Sequence, residues 1–376
     1  MVSLLNDAAS EMLYPLLPLF ITQKLGLSKV TLGLIEGIAE ATSGVVKGVA
    51  GRLSDTVRKR KSFVVWGYLL SAVSRPLIGI SEWWASIGSL RMLDRAGKGL
   101  RTSPRDAMIA QTTPSDIRGL AFGFHRSLDT VGAIIGPLFT LLFFYRFGWD
   151  FKTVFLIAAI PAGIGLFVLI LGVREVTPPR RKAGEHVPLR ITPRLLLLLA
   201  PLAVFSLGKF TDTLFLLRAP DMGIEKGLVP ALYLIMNITY ASLSTPIGAW
   251  TDRLGRIRFV PVGFMFYAIV SLGFAIARAP ALAWALFALH GAYYALTEGV
   301  QRTLIADFSA AEERGTAFGI YHATVSLLQL PAGVIAGYLW DTRGGAAPFF
   351  YAGGMASAAT LLFYGVFRRL SKEPAH

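Results

Sequence analysis

Ionisable side chains stand inside long apolar runs in this chain, and their spacing limits the chemistry they can do. The stretch RMLDRAGKGLRTSPRD, residues 91–106, holds Arg91, Arg95, Lys98, Arg101 and Arg105 with Asp94 and Asp106. Helical spacing puts Arg91, Arg95, Lys98 and Arg105 on one stripe. Near the start of the chain, Asp7, Glu11 and Tyr14 share a helical face, and Glu36, Glu40 and Lys47 share another. Asp129 lies in a further apolar run, with His125 one turn away. Carboxylates facing a fixed guanidinium suit proton exchange. Paired, the acid stays ionised; separated in a dry environment, it favours its neutral form. The same groups could instead form a static ion-pair network that fixes helix packing.

The elements that must position these groups are apolar helices. The chain has 376 residues, 54% hydrophobic and 16% charged, against the roughly 25% charged residues of soluble domains. Apolar spans of about 20 residues, the length that crosses a hydrocarbon core, recur along it. About twelve are expected, at 2–22, 30–51, 62–81, 83–105, 118–144, 151–173, 194–217, 228–250, 258–277, 280–305, 315–339 and 347–368. The runs are continuous rather than alternating, which argues against a transmembrane β-barrel. Residues 91–106 are expected as membrane helix, with Arg95 near mid-depth beside Glu11 and Glu40. Arg101 and Arg105 are expected near the helix end, where they can snorkel. The first span starts at residue 2, so no cleavable signal peptide is expected ahead of it.

The net charge of +14 is concentrated in alternate loops. The segment 174–194 holds six Lys/Arg, the loop 51–62 five, and the loop 252–258 and the C-terminal tail three each. The positive-inside rule then places both termini and the long linker in the cytoplasm, in a cytoplasmic (inner) membrane. Topology and contact with anionic lipid account for these patches, and no nucleic-acid partner is expected. The chain has no cysteine, so neither a disulfide framework nor a thiolate metal site is available. Its His residues are scattered singly, so no metal site is expected. No phosphate-cradling Gly-x-x-x-x-Gly-Lys-Ser/Thr occurs, so ATP drive and cofactors are not expected. No nucleophile–base pair stands out, and an enzyme is not expected.

The chain also repeats itself. RGLAFGFHRS at 118–127 parallels RGTAFGIYHA at 314–323, and GRLSD at 51–55 parallels GAWTD at 248–252. A weaker parallel joins PRDAMIA (104–110) to QRTLIA (301–306) at a similar spacing. Two homologous halves of about six spans follow, 1–173 and 194–376, joined by a linker at 174–193. Parallel repeats with a site between them are a transporter architecture.

On these motifs the chain resembles the major facilitator superfamily of secondary transporters over essentially its full length. GAWTDRLGRIR (248–258) is similar to the family's loop signature Gly-x-x-x-Asp-Arg-x-Gly-Arg. GRLSDTVRKRK (51–61) is a diverged copy, with Thr56 at the usual Arg and Arg58 at the usual second Gly. VGAIIGP (131–137) is similar to the Gly-x-x-x-Gly-Pro of proton-coupled exporters, and RAGKG (95–99) to an Arg-x-x-Gln-Gly pattern with Lys98 replacing Gln.

The resemblance implies an all-α membrane fold of twelve transmembrane helices in two pseudo-symmetric six-helix bundles. It implies a monomeric, proton-coupled antiporter that exports a small molecule by alternating access. Uptake of an anionic metabolite, or export of a metal or amine cation, stays open. Glu11, Glu40, Arg95, Asp7, Glu36 and Asp129 are the expected proton-coupling residues. Spans 1, 4, 7 and 10 are expected to line the cavity, with Tyr14, Arg91, Lys98, Lys209, Asp212, Tyr294 and Glu298 as substrate contacts beside Asn237 and Gln329. Lys209 and Asp212, three apart, are expected to pair. Gly51 with Asp55, and Gly248 with Asp252 and Arg253, are expected to form conformational latches.

Overall fold

The computed structural model describes residues 1–13, 16, 17, 20, 29–148, 150–177, 193–225 and 228–370. Among these the secondary structure is helical. The helices are α1 (Val2–Leu13), α2 (Lys29–Val57), α3 (Arg60–Ile80), α4 (Trp84–Thr112), α5 (Arg118–Leu141), α6 (Phe151–Ile157) and α7 (Ala159–Gly172). They continue as α8 (Pro193–Gly208), α9 (Asp212–Arg218), α10 (Val229–Leu254), α11 (Phe259–Ile276), α12 (Pro280–Asp307), α13 (Arg314–Arg343) and α14 (Ala347–Leu370). Every one of the expected spans is met by helix among the described residues.

Local chemistry explains many of the boundaries. Asp150 caps α6, its carboxylate accepting from the Thr153 backbone N–H at 2.8 Å. Pro280 opens α12, where its missing N–H is no loss. Gly255 follows α10 at φ 95° and Gly344 follows α13 at φ 87°, left-handed stops that glycine adopts without strain. Arg58, between α2 and α3, takes the corresponding left-handed conformation at φ 59°. The turn therefore forms at the diverged copy of the loop signature although an L side chain stands where the second Gly is usual.

The helix surfaces show which solvent they meet. On α7, Ile160, Ile164, Phe167 and Leu171 are 50–70% exposed and lie on one face. On α11, Val262, Met265, Ile269, Leu272 and Ile276 form an exposed apolar stripe, while Phe264, Tyr267, Ser271 and Phe274 are buried. An exposed apolar face of this extent is suited to lipid rather than water. Five described helices are long and apolar enough to cross a membrane by length and composition.

The chain forms two compact units. Unit 1 comprises Met1–Thr112, Leu128–Arg181 and Ala311–Ser326; unit 2 comprises Thr113–Ser127, Lys182–Ala310 and Leu327–His376. Each unit thus takes in the beginning of one long helix, α13 or α5, from the other sequence repeat. In unit 1, α4 packs along α2 and α3, and α1 against α7. Glycine permits the closest approaches: a Cβ on Gly67 would meet the Gly97 carbonyl oxygen at 2.6 Å, and one on Gly136 would meet that of Ala8 at 2.5 Å. In unit 2, α10 packs along α12, and α11 along α14. Phe205, Phe264, Tyr267 and Tyr293 form an aromatic core there, with Phe205 and Phe264 stacked at 4.2 Å.

Candidate functional site

The residues 91–106 lie entirely within α4, so the charged stretch is helix and not loop. Its charges divide into two kinds. The first kind is locked. Asp94, 1% exposed, accepts from Arg75 Nε at 3.0 Å and from Arg91 Nη1 at 3.0 Å. Arg75 also donates from Nη1 to the backbone carbonyl and side-chain oxygen of Asn6, each at 3.1 Å. This ties α1, α3 and α4 together and leaves Arg91 occupied and buried rather than lining a cavity. Arg75 was missed in the sequence because it is a single cation in an otherwise apolar run.

The second kind is looser. Arg95 Nε lies 3.7 Å from Glu40 Oε2, with the Glu40 side chain 38% exposed. Lys98 is exposed, and its charge and that of Arg95 act on Glu11 through space. Asp7 accepts from Asn6 Nδ2 at 3.3 Å and lies in the field of Asp129, Arg101, Lys98 and Arg105. Asp129 is 5% exposed. The Glu36 side chain and Tyr14 fall outside the described residues. Beside Asp129, Gly132 and Gly136 bring α5 onto the backbone of α1, and Thr140 donates to the Met12 carbonyl at 2.7 Å.

Arg101 and Arg105 do not snorkel. Arg101 is 3% exposed, lies over the Tyr68 ring at 4.6 Å and donates to Ser71 Oγ at 2.8 Å. Arg105 turns to its neighbour Asp106, at 3.1 Å through both Nε and Nη2. The other Asp106 oxygen faces His322 Nε2 at 2.9 Å. Buried acceptors on α3 and α4 hold these guanidinium groups more firmly than an interface would.

In unit 2 the expected pairing of Lys209 with Asp212 is overturned. The seventh span is broken: α8 ends at Gly208, α9 begins at Asp212, and the three residues between are not helical. The break removes the helical register that would set residues 209 and 212 side by side. Lys209 Nζ instead reaches Glu298 Oε1 at 3.3 Å and sits over the Tyr294 ring at 4.7 Å. Asp212 Oδ1 accepts from Tyr294 Oη at 2.8 Å and faces His290 Nε2 at 3.1 Å. Arg126 and Arg302 approach the second Glu298 oxygen at 3.5 and 3.6 Å. Asn237 donates from its amide to Tyr233 of its own helix at 2.9 Å. Gln329 is partly buried on α13.

The two signature loops build closely related sites, one in each unit. In unit 2, Asp252 accepts the backbone N–H of Gly119 and of Leu120, each at 2.8 Å, in the first turn of α5. Arg256 donates to the same carboxylate from Nε at 2.9 Å and Nη2 at 2.6 Å, and reaches Asp307 at 2.6 Å. Arg118 holds the other Asp307 oxygen at 2.8 Å. In unit 1, Asp55 accepts from the first turn of α13, from Gly315 N at 3.3 Å and from Thr316 N and Oγ1 at 2.7 and 3.0 Å. Arg60 donates to it from Nε at 3.2 Å and Nη2 at 2.6 Å, and also meets Gln111. Arg60 and Arg256 stand 196 positions apart, as do Gln111 and Asp307. A carboxylate on a helix N-terminus meets both free N–H groups and the positive end of the helix dipole. Arg253 plays no part in this: it is exposed, and the residue one turn past Asp252, Arg256, takes the place beside the carboxylate. Gly51 and Gly248 sit where no side chain fits, since a Cβ would meet the carbonyl oxygens of Gly315 and Gly119 at 2.1 and 2.2 Å.

Lipid-facing helices, ionisable groups gathered inside each unit and repeat-related carboxylate caps define a helical membrane transporter. The comparisons agree. The sequence model of the Major Facilitator Superfamily matches residues 1–236 and 213–376. The chain belongs to the Major Facilitator Superfamily of secondary transporters, in its two-domain, all-helical fold. A relative in Methanocaldococcus jannaschii, named an uncharacterized MFS-type transporter, is 38% identical over 90% of this chain and 86% of its own. Among solved structures, the human organic anion transporter MFSD10 superposes with a TM-score of 0.77 at 16% identity, covering 96% of this chain and 97% of that one. The proton:xylose symporter XylE gives 0.74 at 16% identity over 97% and 93%. At this identity the likeness is one of fold.

Proposed function

We propose that this transporter is a proton-coupled antiporter that exports a small molecule across a cytoplasmic membrane by alternating access. Residues 1–173 and 194–376 act as two six-helix bundles joined by the linker 174–193, with both termini in the cytoplasm. The observation that carries the reading is the Arg95–Glu40 pair, which is ionic, part-exposed and 3.7 Å long. A pair of that kind can exchange partners, unlike the locked Arg75–Asp94–Arg91 group. Glu40 and Glu11 carry the proton, Arg95 is the fixed counter-charge, and Asp7, Glu36 and Asp129 are further acids on the route. The carboxylate caps at Asp55 and Asp252 are latches that break when the basic end of the transporter opens.

Purified protein in liposomes with an inward-directed proton gradient tests the coupling. Antiport predicts that substrate moves against the proton flow and that Glu40→Gln abolishes the dependence on the gradient. Substrate moving with the protons would establish uptake symport instead. Flux indifferent to the gradient would leave a facilitator.

A further inference from the structure

The three cations that converge on Glu298 have a geometry unlike a packing network. Within this protein a carboxylate that serves packing is Asp94: two guanidinium groups at 3.0 Å and 1% exposure. Among the described residues Glu298 instead has one hydrogen bond, to Lys209 at 3.3 Å, and two guanidinium contacts at 3.5 and 3.6 Å. Its side chain is 21% exposed, and those of Arg126 and Lys209 are 20% and 13% exposed. Contacts beyond about 3.2 Å have lost much of their hydrogen-bond strength, so the carboxylate is held mainly by charge.

Two tyrosines complete the surroundings. Tyr240 and Tyr294 lie 5.2 Å apart at a 30° interplanar angle. Arg126 donates to Tyr240 Oη at 2.7 Å, and Lys209 lies over Tyr294. Cations sitting on aromatic faces form an environment for a planar ring that carries its own negative group. Asp212, which shares Tyr294 with this group, is engaged by His290 and Tyr294.

We infer that Arg126 and Lys209, backed by the buried Arg302, form the recognition site for an organic anion with an aromatic or similarly planar body, with Glu298 as the internal anion that the substrate displaces. The inference rests on the transporter reading and names its substrate class. Glu298 offsets the mutual repulsion of the three cations. An incoming carboxylate takes over that role, and the ring packs against the part-exposed Tyr294, which the buried Tyr240 supports from behind. Selectivity arises because a neutral ligand offers nothing to exchange for Glu298, and a cation meets three like charges.

Equilibrium binding to purified protein in nanodiscs, without any gradient, tests this separately from proton coupling. The probe is benzoate, with benzamide and benzylamine as the neutral and cationic controls. Benzoate is expected to bind more tightly than either control. Glu298→Gln, which removes the internal competitor, should tighten benzoate about tenfold, and Lys209→Gln should weaken it about tenfold. Lys209→Arg keeps the charge and should hold affinity within about threefold, which guards against loss of fold in the neutral variant. Benzoate binding no better than benzamide in both wild type and Glu298→Gln would overturn the inference. So would a preference for benzylamine that Glu298→Gln abolishes, since the carboxylate itself would then be the recognising group. Benzoate selectivity with gradient-independent flux would retain this site and reject proton antiport. Gradient-driven flux without benzoate selectivity would do the reverse.

Discussion

Asp252 caps α5 through two backbone N–H groups, those of Gly119 and Leu120, at equal distances of 2.8 Å. Its negative charge serves both the helix end and Arg256, which donates to Oδ1 from two nitrogens. Asp252→Asn leaves one acceptor oxygen and turns an NH2 group toward a donor. We predict a loss of about 1–3 kcal/mol of stability, read as a lower melting temperature in detergent. An unchanged melting temperature would show that water replaces the cap at no cost.

Arg58 holds a left-handed backbone that disfavours any L side chain. Substituting Arg58→Gly should relieve about 1 kcal/mol of that strain, offset in part by the freer unfolded chain. The melting temperature should stay level or rise slightly. A clear fall would mean that the Arg58 side chain contributes more than its backbone conformation forfeits.

Arg75 and Asp94 form a buried pair in which removing one partner strands the other. Arg75→Ala should destabilise the protein by about 3–5 kcal/mol, seen as poor yield of folded protein. Glu298→Gln, at a looser and wetter carboxylate, should fold well. Equal yields for the two would refute the division into locked and exchangeable groups.

Arg95 and Glu40 are predicted to matter for coupling more than for folding. Arg95→Ala and Glu40→Gln should each reduce gradient-driven flux by about tenfold or more while melting temperatures move little. Normal gradient-driven flux in both variants would remove them from the proton route.

Much of the fold was legible because membrane helices announce themselves: a run of apolar residues must be about as long as the bilayer is thick. The observed ends at Asp150, Pro280, Gly255 and Gly344 obey ordinary capping chemistry, a signal that the apolar runs alone did not use. Asp55 and Asp252 stood out because their motif occurs twice. Side-chain partners were less legible. Sequence spacing paired Lys209 with Asp212, which holds only if the helix is continuous; Gly208 and Thr211–Asp212 in GKFTD are stop and start signals that the apolar runs on either side obscured. Arg75 looked incidental because its partner Asp94 lies on another helix. Arg253 was preferred to Arg256 because it adjoins Asp252 in the motif, although on a helix the residue four along is the one that returns to the same side.

On the proposed latch reading, the glycine crossings at Gly51 and Gly248 are the places at which the transport cycle would be trapped. Where a backbone carbonyl sits about 2 Å from the missing Cβ, a single methyl group acts as a wedge at the signature loop. Gly51→Ala and Gly248→Ala each prop open one seam and leave its twin intact, so the two could be jammed one at a time and their contributions to turnover read separately.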